Sequence, residues 1–267
     1  MNAFEPRDAN FRANPYPAYD ILRENNPIFY RHNNNDWVLT RYTDIVFVLK
    51  NENAAPPLAS KSNRINSTAK NNGSIIETIR HHGHRIRSGS VLATPPPSHH
   101  QIRKLLAPVF SEDATNIQKK GIEEYAYKLL SAKKTDIDIV NDYSLPLVYK
   151  SISNWIGIPA TDHERLAPLV RAMATTIDAK NPSIYDRSNF ATVALFEYFK
   201  NLITTQRDKI NTNTVIGILI ESITKGELTK ETAIDNIIFL FFTGTQGGGL
   251  SILSAIQSIL YCDIRVK

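Results

Sequence analysis

The sequence predicts a mainly α-helical protein with a small β-sheet. Apolar residues recur at three- and four-residue intervals through eight stretches, the spacing of one face of a helix. Short strand-like runs flank one place only, Asn33-Asn34-Asn35, where they read as a hairpin. Hydrophobic residues make up 42% of the chain and charged residues 21%, the balance of a globular protein with a buried core.

In chain order, helices are expected at Pro17 to Asn25, Ser98 to Phe110, Ala114 to Ala132 and Asp142 to Ile156. Four more follow at Asp162 to Thr176, Ser188 to Asn211, Thr212 to Ile223 and Thr229 to Tyr261. Ser98 is a candidate cap, and so is Thr229 at the start of the last helix. Pro108 should kink its helix or end it early. The hairpin pairs Ile28 to His32 with Asp36 to Thr40, and Ile137 to Val140 reads as a further strand. Residues Asn51 to Gly89 are rich in Pro, Ser, Asn and Gly with little periodicity, and read as a long irregular segment.

At 267 residues the chain suits one large domain or two small ones, and it holds no internal repeat or linker. Its polar N-terminus, Met1-Asn-Ala-Phe-Glu-Pro-Arg-Asp, lacks the apolar run of a signal peptide. One cysteine rules out an internal disulfide and fits a reducing, cytoplasmic compartment. A net charge of +5 permits an acidic partner or an anionic cofactor. Nothing resembles a nucleic-acid-binding pattern.

The richest stretch is Thr94-Pro-Pro-Pro-Ser-His-His-Gln-Ile-Arg103-Lys-Leu-Leu-Ala-Pro-Val-Phe110. His99 and Arg103 stand four apart, on one face of a helix. A guanidinium one turn from an imidazole suits a carboxylate, which Arg grips with two parallel hydrogen bonds. As plain surface charges, the two cations would instead oppose the helix dipole by about 0.3–1 kcal/mol each. His81-His82-Gly83-His84 could suggest a metal, but no carboxylate or cysteine pattern accompanies it, so no metal site is expected.

The run from Thr94 to Phe110 resembles the C helix of bacterial soluble cytochromes P450, with its Asp-Pro-Pro-x-His-x-x-x-Arg pattern and a Phe seven residues on. Pro96, Pro97, His99, Arg103 and Phe110 match; Pro95 replaces the Asp. Four more signals follow the family's order. Asn14 to Arg23 with Asn26-Pro-Ile resembles its opening helix and first turn. Trp37 to Ile45 with Val48-Leu49 resembles its next strand and B helix. Ser153-Asn-Trp-Ile-Gly-Ile-Pro159 with Asp162-His-Glu-Arg165 resembles the E helix and the turn after it. Phe242-Thr-Gly-Thr-Gln246 falls at the oxygen-binding groove of the I helix.

The resemblance implies an incomplete P450 fold as a single domain over 1–267. It implies haem b as cofactor, with His99 and Arg103 on its propionates. Phe239, Phe242 and Thr243 would face an apolar substrate, with 86–92 and 185–190 covering the pocket. It implies a ferredoxin or flavoprotein as electron donor and no membrane. The family's I-helix pattern Ala/Gly-Gly-x-Asp/Glu-Thr is degenerate here. Gly244 matches, Gln246 replaces the acid and Gly247 the hydroxyl residue. A neutral amide cannot cycle a proton as a carboxyl group does. The alternative reading is that Gly247-Gly248-Gly249 breaks or bends the helix.

The family's Glu-x-x-Arg helix and its Phe-x-x-Gly-x-x-x-Cys-x-Gly loop do not occur before Lys267. Cys262 has none of the glycines that let backbone donors approach a thiolate, and it is not expected to ligate iron. The expectation is therefore a truncated or degenerate monooxygenase, inactive by itself and prone to self-association. The alternative is a non-enzymatic helper that binds a partner protein. The charge-free run between Asp235 and Asp263 is long enough for a membrane span. Its threonines, Gln246 and glycines favour a helix through a protein core.

Overall fold

The computed structural model describes residues 4–6, 8–32, 35–51, 53–54, 74–132, 136–174, 182–205 and 211–265. The chain divides into two compact units, Met1–Pro56 and Pro57–Lys267. In the first unit, α1 (Ala9–Ala13) is capped by Asp8, whose carboxylate accepts from the backbone of Asn10 and Phe11. Helix α2 (Tyr16–Asn25) precedes the hairpin β1 (Ile28–Arg31) and β2 (Asp36–Leu39). The strands are antiparallel, with Tyr30 opposite Trp37 and Arg31 opposite Asp36. Phe4, Phe11, Tyr19 and Phe29 form the unit's aromatic cluster. Helix α3 (Tyr42–Lys50) closes it.

The second unit is helical among its described residues. Helix α4 (Ile75–Ser88) opens with a capping box: Ser74 accepts from Glu77 N, and Glu77 reaches back to Ser74 N. This corrects the irregular segment expected from Asn51 to Gly89, of which residues 55–73 lie outside the described residues. His81, His82 and His84 therefore sit on a helix and not in a loop. Next come α5 (Ser98–Leu106) and a tighter 3₁₀ turn over Ala107–Phe110. The change at Ala107 answers Pro108, which has no N–H to continue the α-helical ladder. Ser98 is the first helical residue and not the cap; Pro97 holds that place without a side-chain bond.

Helix α6 (Glu112–Ser131) is followed by a wide π-type turn over Ile139–Ser144, where a strand was expected at Ile137 to Val140. Asp138 decides this locally, because its carboxylate accepts from the N–H groups of Val140 and Asn141 and starts a helical turn. Helix α7 (Leu145–Ile156) ends at Gly157, whose φ of 97° is a left-handed cap that glycine adopts without penalty. Helices α8 (His163–Ala174), α9 (Pro182–Thr205), α10 (Val215–Thr224) and α11 (Lys230–Arg265) complete the unit. Thr175 and Thr176, the far end of the predicted α8, and the Asn33-Asn34 turn lie outside the described residues.

The core lies where α11 meets α7, α8, α9 and α10. Ile156, Val170, Leu195, Phe199, Ile216, Ile237 and Phe241 are all fully buried there. Phe199 and Phe241 meet edge to face, with centroids 6.3 Å apart. Thr229 caps α11 as predicted, accepting from Thr232 N at 3.1 Å. The helix runs unbroken through Gly247-Gly248-Gly249.

Candidate functional site

The site is built on α5 and α11, with the segment between α4 and α5 joining them. His99 is half-buried, and its Nδ1–H donates to Val91 O at 3.0 Å. The bond fixes the ring and leaves Nε2 as the nitrogen facing away from the backbone. His99 can then donate to a carboxylate only in its doubly protonated form. Arg103 lies one turn on, exposed, and no ion pair engages it among the described residues. His100 is exposed as well. His99 and Arg103 thus stand one turn apart on α5, with no ion pair on the guanidinium among the described residues.

Two neighbouring residues of α11 that sequence reasoning missed tie this region together. Asn236 of α11 is fully buried. Its Oδ1 accepts from Val91 N at 2.7 Å and its Nδ2 donates to Thr232 O at 2.8 Å. One peptide unit away, Val91 O takes the His99 proton, so α11 sets the His99 ring through Val91. Its neighbour Asp235 is 3% exposed and accepts from both Arg85 Nη atoms, at 3.1 and 3.2 Å. Burial pushes the Asp235 carboxyl up to about 7, against the downward pull of Arg85. A Cβ on Gly89 would run into the Asp235 carboxylate, so only glycine lets the backbone pass so close. The run Ile234-Asp-Asn-Ile237, two polar residues inside an apolar helix, was the signal available in the sequence.

The groove positions of α11 separate. Gly244 and Gly248 face α7: an added Cβ would stand 2.9 Å from Ile152 Cδ1 and 3.1 Å from Val148 Cγ1 respectively. Gly247 faces open space, with nothing within 4 Å of its missing Cβ. Gln246 is half-buried. Thr243 and Thr245 donate their hydroxyl protons back into the helix, to Phe239 O at 2.9 Å and Phe241 O at 2.8 Å. Phe239, Phe242 and Thr243 are half-buried, and both rings pack against the core. Segments 86–92 and 185–190 adjoin each other. Arg87 donates to Asn189 Oδ1 at 2.8 Å, and Arg80 grips Asp186 at 2.5 and 2.9 Å.

Among the described residues, no group of three His, Cys, Asp or Glu is arranged to hold a metal. Cys262 lies in the last turns of α11, with its side chain outside the described residues. Among the described residues one helix, Lys230–Ile259, is long and apolar enough to cross a membrane by length and composition, and a third of its most apolar window (33%) is buried in the fold.

No family-wide sequence profile matches the chain. Individual proteins do. The biotin biosynthesis cytochrome P450 of Bacillus subtilis (strain 168) is 26% identical over 247 residues, 89% of this chain and 58% of that protein. Cytochrome P450(MEG) of Priestia megaterium is 24% identical over 271 residues, 100% of this chain and 63% of its own length. The crystal structure of epothilone D-bound cytochrome P450epoK superimposes with a TM-score of 0.80 at 22% identity, covering 97% of this chain and 64% of that one. These relatives and structural neighbours are all bacterial or structurally characterised cytochromes P450, and the chain shares their fold over most of its length. It spans about three fifths of the length of these relatives.

The propionate end of a haem fits the residues present. The chain offers a cation that no acid engages among the described residues and an imidazole fixed one turn away.

Proposed function

We propose that this chain forms the part of a cytochrome P450 that holds the haem propionates and lines the oxygen-binding side. The reading rests on one observation: Arg103, which no acid engages among the described residues, stands one turn from a His99 whose ring is set by Val91. Haem in this family supplies the chemistry that inserts one atom of dioxygen into an apolar molecule. Here Arg103 and His99 would grip its carboxylates, and the half-buried Phe239, Phe242 and Thr243 would meet the substrate. Electrons would come from a ferredoxin or flavoprotein, in the cytoplasm. One structural neighbour is a P450 in complex with acyl carrier protein carrying hexadec-9Z-enoic acid, and another holds epothilone D. Ligands that different carry no single substrate over to this chain, and the common feature is a large apolar body.

On this reading the 267 residues alone do not turn over. The thiolate loop is missing from the sequence, and Gln246 and Gly247 stand where the family has an acid and a hydroxyl. Reduced protein with haem and carbon monoxide should lack the absorption of a cysteine-ligated haem, and its appearance would overturn this part of the proposal. The alternative, a non-enzymatic helper, draws on the same two substitutions and predicts no haem binding at all.

Haem titration decides between them. A charge-assisted hydrogen bond contributes about 1.5–3 kcal/mol, so Arg103→Ala should weaken haem binding about ten- to a hundredfold, at 1.4 kcal/mol per decade. A His81/His82/His84 triple alanine variant should bind as wild type does. If the triple variant loses binding while Arg103→Ala keeps it, the cofactor sits elsewhere. No binding by any form would favour the helper.

A further inference from the structure

A cavity of about 660 Å³ opens between α6, α7 and α8, bounded by the π-type turn that leads into α7. It is separate from the site on α5, since neither His99 nor Arg103 lines it. Its size falls in the ~300–1,000 Å³ range of small-molecule sites.

The wall is built in two parts. Leu145, Pro146, Ala167 and Pro168, with the rings of Tyr125 and Tyr149, supply apolar surface. Lys128, Lys150 and Arg171 supply three cations against one carboxylate, Glu164. No ion pair engages any of the three cations among the described residues. Arg171 lies over the Tyr149 ring, 5.8 Å from its centroid, which orients the guanidinium along the wall. His163 adds no charge: Nε2–H donates to Ile158 O at 2.8 Å, and burial pushes its pKa down, keeping the ring neutral. Its Nδ1 is buried without a hydrogen-bond partner.

An excess of cations that no carboxylate engages among the described residues, around an apolar hollow, has a simple complement. A neutral apolar molecule would bury the cations uncompensated, and a small inorganic anion would leave the apolar wall wet. We propose that this cavity binds an amphipathic carboxylate, with its alkyl or aromatic body against Leu145, Pro146 and Tyr149 and its carboxylate facing Lys150 and Arg171. This site is independent of the haem reading, because it uses none of the same residues.

Decanoate is a suitable probe and decanol its neutral control, both titrated calorimetrically into the full chain without haem. Decanoate should bind saturably, and decanol at least tenfold more weakly. The double variant Lys150→Gln/Arg171→Gln, which alters only partly or fully exposed side chains, should weaken decanoate about ten- to a hundredfold. Ala160→Trp, at the exposed rim of the cavity, should weaken both ligands, and Arg103→Ala neither. Circular dichroism melting of each variant would confirm folding. Absence of saturable binding, equal binding of decanol, unchanged binding in the double variant, or loss in Arg103→Ala would each overturn the proposal.

Discussion

Asp235 ties the fold to pH. Its folded carboxyl titrates near 7, against an ordinary value of 3.8, because burial disfavours the charged form more than Arg85 favours it. A group raised in this way binds its proton more tightly folded than unfolded. Its contribution to stability is complete below about pH 4 and is lost as pH rises through about 7. Urea denaturation at pH 5 and pH 8 should therefore show a loss on raising pH that Asp235→Asn reduces. If the variant keeps the wild-type pH profile, another group carries it. Next to it, Asn236 holds Val91 N, and Asn236→Ala leaves that half-buried donor without its partner at a cost of about 1 kcal/mol. The variant should also weaken haem binding, because Val91 sets the His99 ring; equal haem affinity in a folded Asn236→Ala protein would break that link. His99 and Arg103 were legible in the sequence because their four-residue spacing is local. Arg85 and Asp235 were not, because 150 residues separate the partners and only the folded chain brings them together.

At the scale of elements, legibility followed periodicity. Most helices of the second unit stand within a few residues of their predicted bounds, since their apolar residues recur at helical spacing. Helix α4 was missed because its face is mixed: Gly83 and Ile86 are buried, but charged and His residues surround them. Ser74 and Glu77, a capping box, were the local signal for its start. Gly83 also lets α4 approach α9, because a Cβ there would collide with Asn189. The glycines of α11 show the same division between contact and open space. Gly244→Val should cost about 1–3 kcal/mol, since its side chain would press on Ile152 of α7. Gly247→Ala meets nothing and should stabilise the haem-free chain by up to about 1 kcal/mol, the helix-propensity difference. Denaturation curves of the two variants check both signs. A neutral Gly244→Val, or a destabilising Gly247→Ala, would show that α11 and α7 pack differently.

For the whole molecule, the uneven cover of its apolar surface matters most. Through Phe241, α11 is core; further along, Leu250 is 68% exposed and Ile259 63%. Helix α6 has no buried residue, and Ile117, Tyr127 and Leu130 are all more than half exposed. At ~25 cal/mol per Å², covering about 400 Å² of such surface yields about 10 kcal/mol. That gain is comparable with the ~5–15 kcal/mol that holds a domain together. Association costs about 4–15 kcal/mol in lost freedom, so a weak to moderate complex is the expected result. Sedimentation of the isolated chain should show self-association that rises with concentration. Leu250→Lys/Ile259→Lys, two exposed positions on α11, should shift it towards monomer without lowering the melting temperature of the dilute protein. A wild-type chain that stays monodisperse and monomeric at all concentrations, with one sharp two-state melt, would mean these faces need no cover.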